Sequence, residues 1–151
     1  MATPHTAAVG SNLKLARMTF YEKELNRIND IVYSNQEQIQ TVFGVRNYIN
    51  NNYESDLNLD LLSHIRFVSK YHLLRLFKRL YGLTPRQYLI GNRIEKSKEQ
   101  LKNGLSVTET CFAVEFESLG SLGTLFKVKT GKSPSEFQKE QLSRSTLNLQ
   151  S

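Results

Sequence analysis

The chain has 151 residues, with 20 Lys+Arg against 14 Asp+Glu, which suits one compact domain plus a short extension and favours a polyanionic partner. Its single cysteine, Cys111, excludes an intramolecular disulfide or a Cys-rich zinc site, and His5, His64 and His72 hold no ligand spacing with it, so no metal and no cofactor are expected. No apolar run approaches the roughly 18–20 residues of a membrane span, and Met1–Gly10 lacks an apolar signal core, so the expectation is a soluble cytoplasmic protein.

Residues 1–12 are small and polar, with Pro4 and Gly10, and read as a disordered tail. Residues 13–40 read as an N-terminal helical extension. Phe20, Leu25, Ile28, Ile31 and Val32 recur on one side between Glu22, Lys23, Glu24 and Arg27, and a packed face is favoured over a partner-binding one. Val42, Val45, Tyr48 and Ile49 form a denser stripe that ends in Asn50-Asn51-Asn52.

Asn58 then offers an N-cap for a short helix carrying Leu59, Leu61, Leu62 and Ile65. Ser69 offers the next cap. Behind it Leu73, Leu76, Phe77 and Leu80 predict an amphipathic helix over about 70–81, stopped at Gly82. Thr84 caps and Pro85 starts a long helix through Tyr88, Leu89, Ile94 and Leu101 to about Lys102, stopped by Asn103-Gly104. Ser106-Val107-Thr108-Glu109 is a capping box opening a helix to about Glu115. Ser118 caps a helix bearing Leu122, Leu125, Phe126 and Val128, ended near Gly131. Ser133-Pro134-Ser135-Glu136 opens a last short helix through Phe137. No alternating segment predicts a strand.

Two stretches repeat one another. Ser69, Leu73, Leu76-Phe77-Lys78, Gly82, Thr84-Pro85 and Tyr88 return as Ser118, Leu122, Leu125-Phe126-Lys127, Gly131, Ser133-Pro134 and Phe137, at a constant offset of 49 residues. Each half is a short helix, a turn, a capped helix and a proline-started helix, which is the helix-turn-helix plan used twice. A solenoid of helical hairpins needs more copies. Charge placement also argues against it. Leu61 to Ile94 holds no acid but includes Arg66, Lys70, Arg75, Lys78, Arg79, Arg86 and Arg93; Ser118 to Ser135 is equally acid-free and holds Lys127, Lys129 and Lys132. Such windows suit phosphate-facing surfaces.

On these residues the chain resembles the AraC/XylS family of bacterial transcription regulators, over roughly Val42 to Glu140. The most specific segment is Phe116-Glu117-Ser118 through Phe126-Lys127, Gly131, Ser133-Pro134 and Phe137; Tyr81-Gly82, Gln87-Tyr88-Leu89 and Arg93-Ile94 add to it. The resemblance implies an all-α fold: two helix-turn-helix subdomains joined by a long helix, with the N-terminal helical extension. It divides the chain into 41–142 as the DNA-binding domain (first motif 58–81, joining helix 85–102, second motif 106–130) and 143–151 as a C-terminal tail. It implies double-stranded DNA as partner, read in successive major grooves, with RNA polymerase recruited by an activator bound at the nucleoid.

The resemblance places Ser69, Lys70, Tyr71, His72, Leu74, Arg75, Lys78 and Arg79 on the DNA-binding surface of the first motif. Arg75 is expected to read guanine through two hydrogen bonds. Lys78 and Arg79 are expected on the backbone, and Ser69 with the helix start on phosphate. The second motif offers Ser118, Leu119, Ser121, Thr124 and Lys127, with Gly120 and Gly123 between, and is expected to supply grip and register more than base reading. The family pattern has Gly where Glu115 stands, in a turn where positive φ favours glycine. Cys111 and Ser97 are expected to pack, and Arg93 to brace the joining helix against the second motif.

Two other classes compete with this reading: a helical protein-interaction module or partner-regulated fragment of a larger regulator, and an enzyme. Relatives fused to a DNA-repair methyltransferase need a cysteine-bearing module upstream, and about 40 cysteine-free residues precede the repeat, so the expectation is no enzyme. There is likewise no room for a small-molecule domain, and a monomer is favoured.

Overall fold

The computed structural model describes residues 19–150, so the expected tail over 1–12 and the first part of the extension lie outside the described residues. The described residues form seven helices and no strand: α1 (Phe20–Asn52), α2 (Leu59–Ile65), α3 (Lys70–Tyr81), α4 (Pro85–Lys102), α5 (Val107–Ala113), α6 (Leu119–Thr130) and α7 (Pro134–Leu149). The all-helical expectation is met. The chain divides into two compact units, one ending at Gln40 and one starting at Thr41.

The first unit contains the N-terminal part of α1. Thr19 and Glu22 form a reciprocal cap: the Thr19 N–H donates to Glu22 Oε2 at 2.8 Å, and the Glu22 N–H donates to Thr19 Oγ1 at 3.3 Å. The apolar stripe expected to be packed is exposed, with Phe20 at 84%, Ile28 at 46% and Val32 at 54%. Periodicity shows that a face exists, not what covers it.

The second unit is built on local capping chemistry. Asn58, Ser69 and Ser118 each accept a backbone N–H from the first turn of their helix. Thr84/Gln87, Ser106/Glu109 and Ser133/Glu136 close full capping boxes. Gly82 and Gly131, both left-handed, stop α3 and α6.

Two apolar cores result. The first gathers Val42, Val45 and Ile49 of α1, Leu62 of α2, Leu73, Leu76 and Phe77 of α3, and Leu89 of α4. The Phe77, Tyr81 and Tyr88 rings pack within 4.9–5.9 Å of one another beside it. The second gathers Ile94 and Leu101 of α4, Cys111 of α5, and Leu122 and Phe126 of α6, with Phe137 of α7 edge-on to Phe126 at 5.4 Å. α4 therefore feeds both cores, which fixes the two motifs to one rod.

Polar anchors lock that rod. Asn50 Oδ1 accepts from Tyr88 Oη at 2.9 Å and from Asn92 Nδ2 at 2.7 Å. Gln138 Nε2 donates to the carbonyls of Leu101 at 3.1 Å and Leu105 at 2.6 Å, closing α7 over the end of α4.

Two boundaries differ from expectation. α5 ends at Ala113, with Val114 as its cap, before Glu115. The last helix is not short: it runs to Leu149, because no glycine or proline follows Pro134 to stop it.

Candidate nucleic-acid interface

The turn of each motif has the same backbone design. In the first, Phe67 is left-handed (φ 52°); its N–H donates to His64 O and the Val68 N–H to Ser63 O, each at 3.1 Å. In the second, Glu115 is left-handed (φ 56°); its N–H donates to Phe112 O at 3.2 Å and the Phe116 N–H to Cys111 O at 3.1 Å. Such paired bonds cap a helix that turns through a left-handed residue, where a side chain costs energy. Glu115 thus adopts the glycine conformation without glycine. Phe67 does the same with its ring 93% exposed, a position that sequence reasoning missed. Glu117 makes the second turn one residue longer.

α3 buries Leu73, Leu76 and Phe77, so its opposite face carries Lys70, Tyr71, Leu74, Arg75 and Lys78. Ser69 Oγ accepts the His72 N–H at 3.1 Å. Lys70 Nζ lies 3.5 Å from Asp60 and 5.7 Å from the centre of the Tyr71 ring. Arg75 is exposed, and no acid among the described residues lies in ion-pair range of it. His72 and Leu74 are half-buried, and Arg79 is exposed at the helix end.

α6 buries Leu122 and Phe126 and exposes Leu119, Thr124 and Lys127. Ser118 Oγ accepts the Ser121 N–H at 3.0 Å and donates to Ser121 Oγ at 3.0 Å. A Cβ on Gly123 would meet nothing within 4 Å, and one on Gly120 only Ser118 Oγ at 3.8 Å. Packing within the chain therefore does not demand glycine at either position.

A groove of about 760 Å³ runs beside α4 between the motifs, lined by Leu74 of α3, Arg86 and Arg93 of α4, and Ser121 and Leu125 of α6. Asp56, Glu115 and Glu117 also line it, so acids outside the two acid-free windows return to this surface in space. All thirteen expected site residues are exposed or half-buried, and the groove brings Leu74 and Ser121 together.

Arg93 departs from expectation. Its Nε donates to Tyr53 O at 2.9 Å and its Nη2 to Ser55 O at 2.8 Å. It braces the joining helix against the segment before the first motif; Glu115 and Glu117 of the second act on it only through space. Burial lowers its pKa from the usual arginine value, the nearby acids opposing that shift. Cys111 and Ser97 are buried as expected; Ser97 Oγ donates to Arg93 O at 2.7 Å, and burial raises the Cys111 thiol pKa.

Among the described residues no group of His, Cys, Asp and Glu could hold a metal ion, and no helix is long and apolar enough to cross a membrane.

A helix-turn-helix domain family matches residues 62–140. An uncharacterised helix-turn-helix-type transcriptional regulator from the cgkA 5′ region of Pseudoalteromonas carrageenovora is 36% identical over 92 residues, covering 61% of this chain and 55% of that protein. The helix-turn-helix-type transcriptional activator AarP of Providencia stuartii is 30% identical over 92 residues, covering 60% of this chain and 68% of that protein. Among solved structures, the DNA-binding domain of the global transcriptional factor AdpA, in complex with a target DNA, superposes with a TM-score of 0.65 at 23% identity over 68% of this chain and 94% of that one. The chain spans about half the length of most of the curated relatives it matches.

Proposed function

The chain belongs to the AraC-type helix-turn-helix family of transcription regulators, and from that membership we propose that it activates transcription by laying α3 and α6 into successive major grooves of duplex DNA. The observation that carries the reading is Arg75. Its guanidinium stands on the exposed face of α3 with no acid partner among the described residues, inside a window that holds no acid from Leu61 to Ile94. A guanidinium so placed can bond guanine O6 and N7 together.

The two helices divide the work. α3 reads bases through Arg75, with Tyr71 against a thymine methyl, while Lys70, Lys78 and Arg79 contact phosphate. α6 offers only short polar groups, Ser121 and Thr124, beside Lys127, and supplies grip and register. Ser69 and Ser118, at the helix starts, face phosphate, and His72, Leu74 and Leu119 border the surface. RNA polymerase is the protein partner of this reading, and the cytoplasmic nucleoid its location. The reading includes no catalytic step.

Selection of bound sites from random duplex DNA tests it directly. The site expected for each chain is asymmetric, with two half-sites about one helical turn apart, and its affinity is expected to fall steeply with added salt. No binding at low salt would sink the reading and leave a protein-interaction module in its place.

A further inference from the structure

The N-terminal part of α1 carries a second repeat, independent of the DNA surface. Tyr21, Leu25, Ile28, Val32, Asn35 and Ile39 alternate at spacings of four and three, the a and d positions of a heptad seam. All are exposed, Tyr21 at 71% and Ile39 at 38% among them. The positions beside the seam from Leu25 to Ile39 are Asn29, Ile31, Gln36 and Gln38, none charged. The charges Lys23, Arg27, Asp30 and Glu37 fall on the outer face, while Glu22 and Glu24 flank only the first turn of the seam. This is the layout of a helix that buries its seam against another helix.

We infer that residues 21–39 of α1 pair with the same segment of a second copy as a parallel, in-register, two-stranded coiled coil. Asn35 selects that occupant. It is the one polar residue in the core of the seam, and an amide both donates and accepts. A parallel copy in register sets Asn35 opposite Asn35, where each can satisfy the other; an antiparallel copy sets it against apolar groups unless the pair crosses at that layer. From Leu25 onward the uncharged flanks remove repulsion between identical chains.

Sedimentation equilibrium of the full chain tests the pairing. A seam of about three heptads is near the lower limit for a coiled coil, so the mass is expected to rise from 17.4 kDa toward its double between about 1 and 100 µM. The double variant Ile28→Lys/Val32→Lys is expected to weaken association at least about tenfold. Phe20→Ser/Tyr33→Ser, which removes exposed apolar groups outside the seam, is expected to leave it unchanged. Asn35→Val is expected to tighten association and admit higher oligomers, because a buried asparagine restricts oligomer state at a cost in stability. A wild-type chain that stays monomeric at about 100 µM overturns the inference, as does equal weakening by the off-seam pair. Binding of each variant to one duplex site, measured in parallel, keeps a failure of pairing distinct from a failure of DNA recognition.

Discussion

Arg93 holds the Tyr53 carbonyl from 40 residues away in sequence, its Nε 2.9 Å from that oxygen, while its Nη2 takes the Ser55 carbonyl. One side chain of the joining helix thereby fixes the segment that leads into the first motif. Arg93→Ala removes two charge-assisted donors and leaves the partly buried Tyr53 carbonyl unmatched, so unfolding in urea is expected to show a loss of about 1–3 kcal/mol. Arg93→Lys is expected to recover only part, because an ammonium lacks the planar fork.

Arg75→Ala and Thr124→Ala are expected to fail differently on DNA. Loss of the guanidinium is expected to flatten the preference at one base pair, by about 1–3 kcal/mol of discrimination. Loss of the Thr124 hydroxyl and methyl is expected to lower affinity evenly across sequences. Competition binding with single-base variants of the selected site measures both, and equal loss of specificity from both would end the division of labour between α3 and α6.

Lys78→Ala and Lys127→Ala are each expected to reduce the slope of log affinity against log salt by about 0.9, one released counterion per phosphate contact. The same measurement on Lys102→Ala, at the end of α4, is expected to leave the slope unchanged.

Glu115 and Phe67 share a backbone conformation but not a chemistry. Glycine at either site removes a left-handed penalty of about 1–2 kcal/mol and adds unfolded-state entropy worth about 0.5–1 kcal/mol. Each variant is therefore expected to gain up to about 1.5 kcal/mol in thermal or urea unfolding. Only Glu115→Gly is also expected to tighten DNA binding at low salt, because only it removes a negative charge from the groove.

Acid is expected to weaken the fold through its capping boxes. Hydrogen bonds from Ser106 and Ser133 hold the carboxyls of Glu109 and Glu136 below their ordinary pKa of 4.5. The folded chain gives up these protons more readily than the unfolded chain, so the contribution is complete above that ordinary value. It fades as pH falls through the depressed folded values. Thermal midpoints followed downward from neutral pH are expected to drop in that acid range, and to drop less steeply in Glu109→Gln/Glu136→Gln, whose amides keep the cap without titrating.

Much of this fold is legible in the sequence because its decisions are local. Ser69, Thr84, Ser106, Ser118 and Ser133 each declare a helix start within four residues, and Gly82 and Gly131 each declare an end. The rest depends on distance or on silence. No spacing rule brings Arg93 to Tyr53, and none pairs Asn50 with Tyr88 and Asn92. Phe67 gives no warning, since an aromatic residue carries no signal for a left-handed turn; Glu115 does, because the resemblance puts glycine there. The length of α7 was open to a plainer reading: after Pro134 the chain contains nothing that stops a helix. Of the candidate site, the exposed face of α3 follows directly from helical period. The acids of the groove do not, because Asp56, Glu115 and Glu117 reach it from separate turns.

The closed environment of Cys111 has a practical consequence. It is the chain's sole cysteine, it is 4% exposed, and burial keeps its thiol in the unreactive protonated form. A cysteine introduced at an exposed position outside the DNA-facing residues, as in Leu80→Cys on α3 or Val128→Cys on α6, becomes the single thiol that a dye or spin label can reach. Each recognition helix can then be watched separately as duplex is added, without first disturbing the second core to remove a competing sulfur.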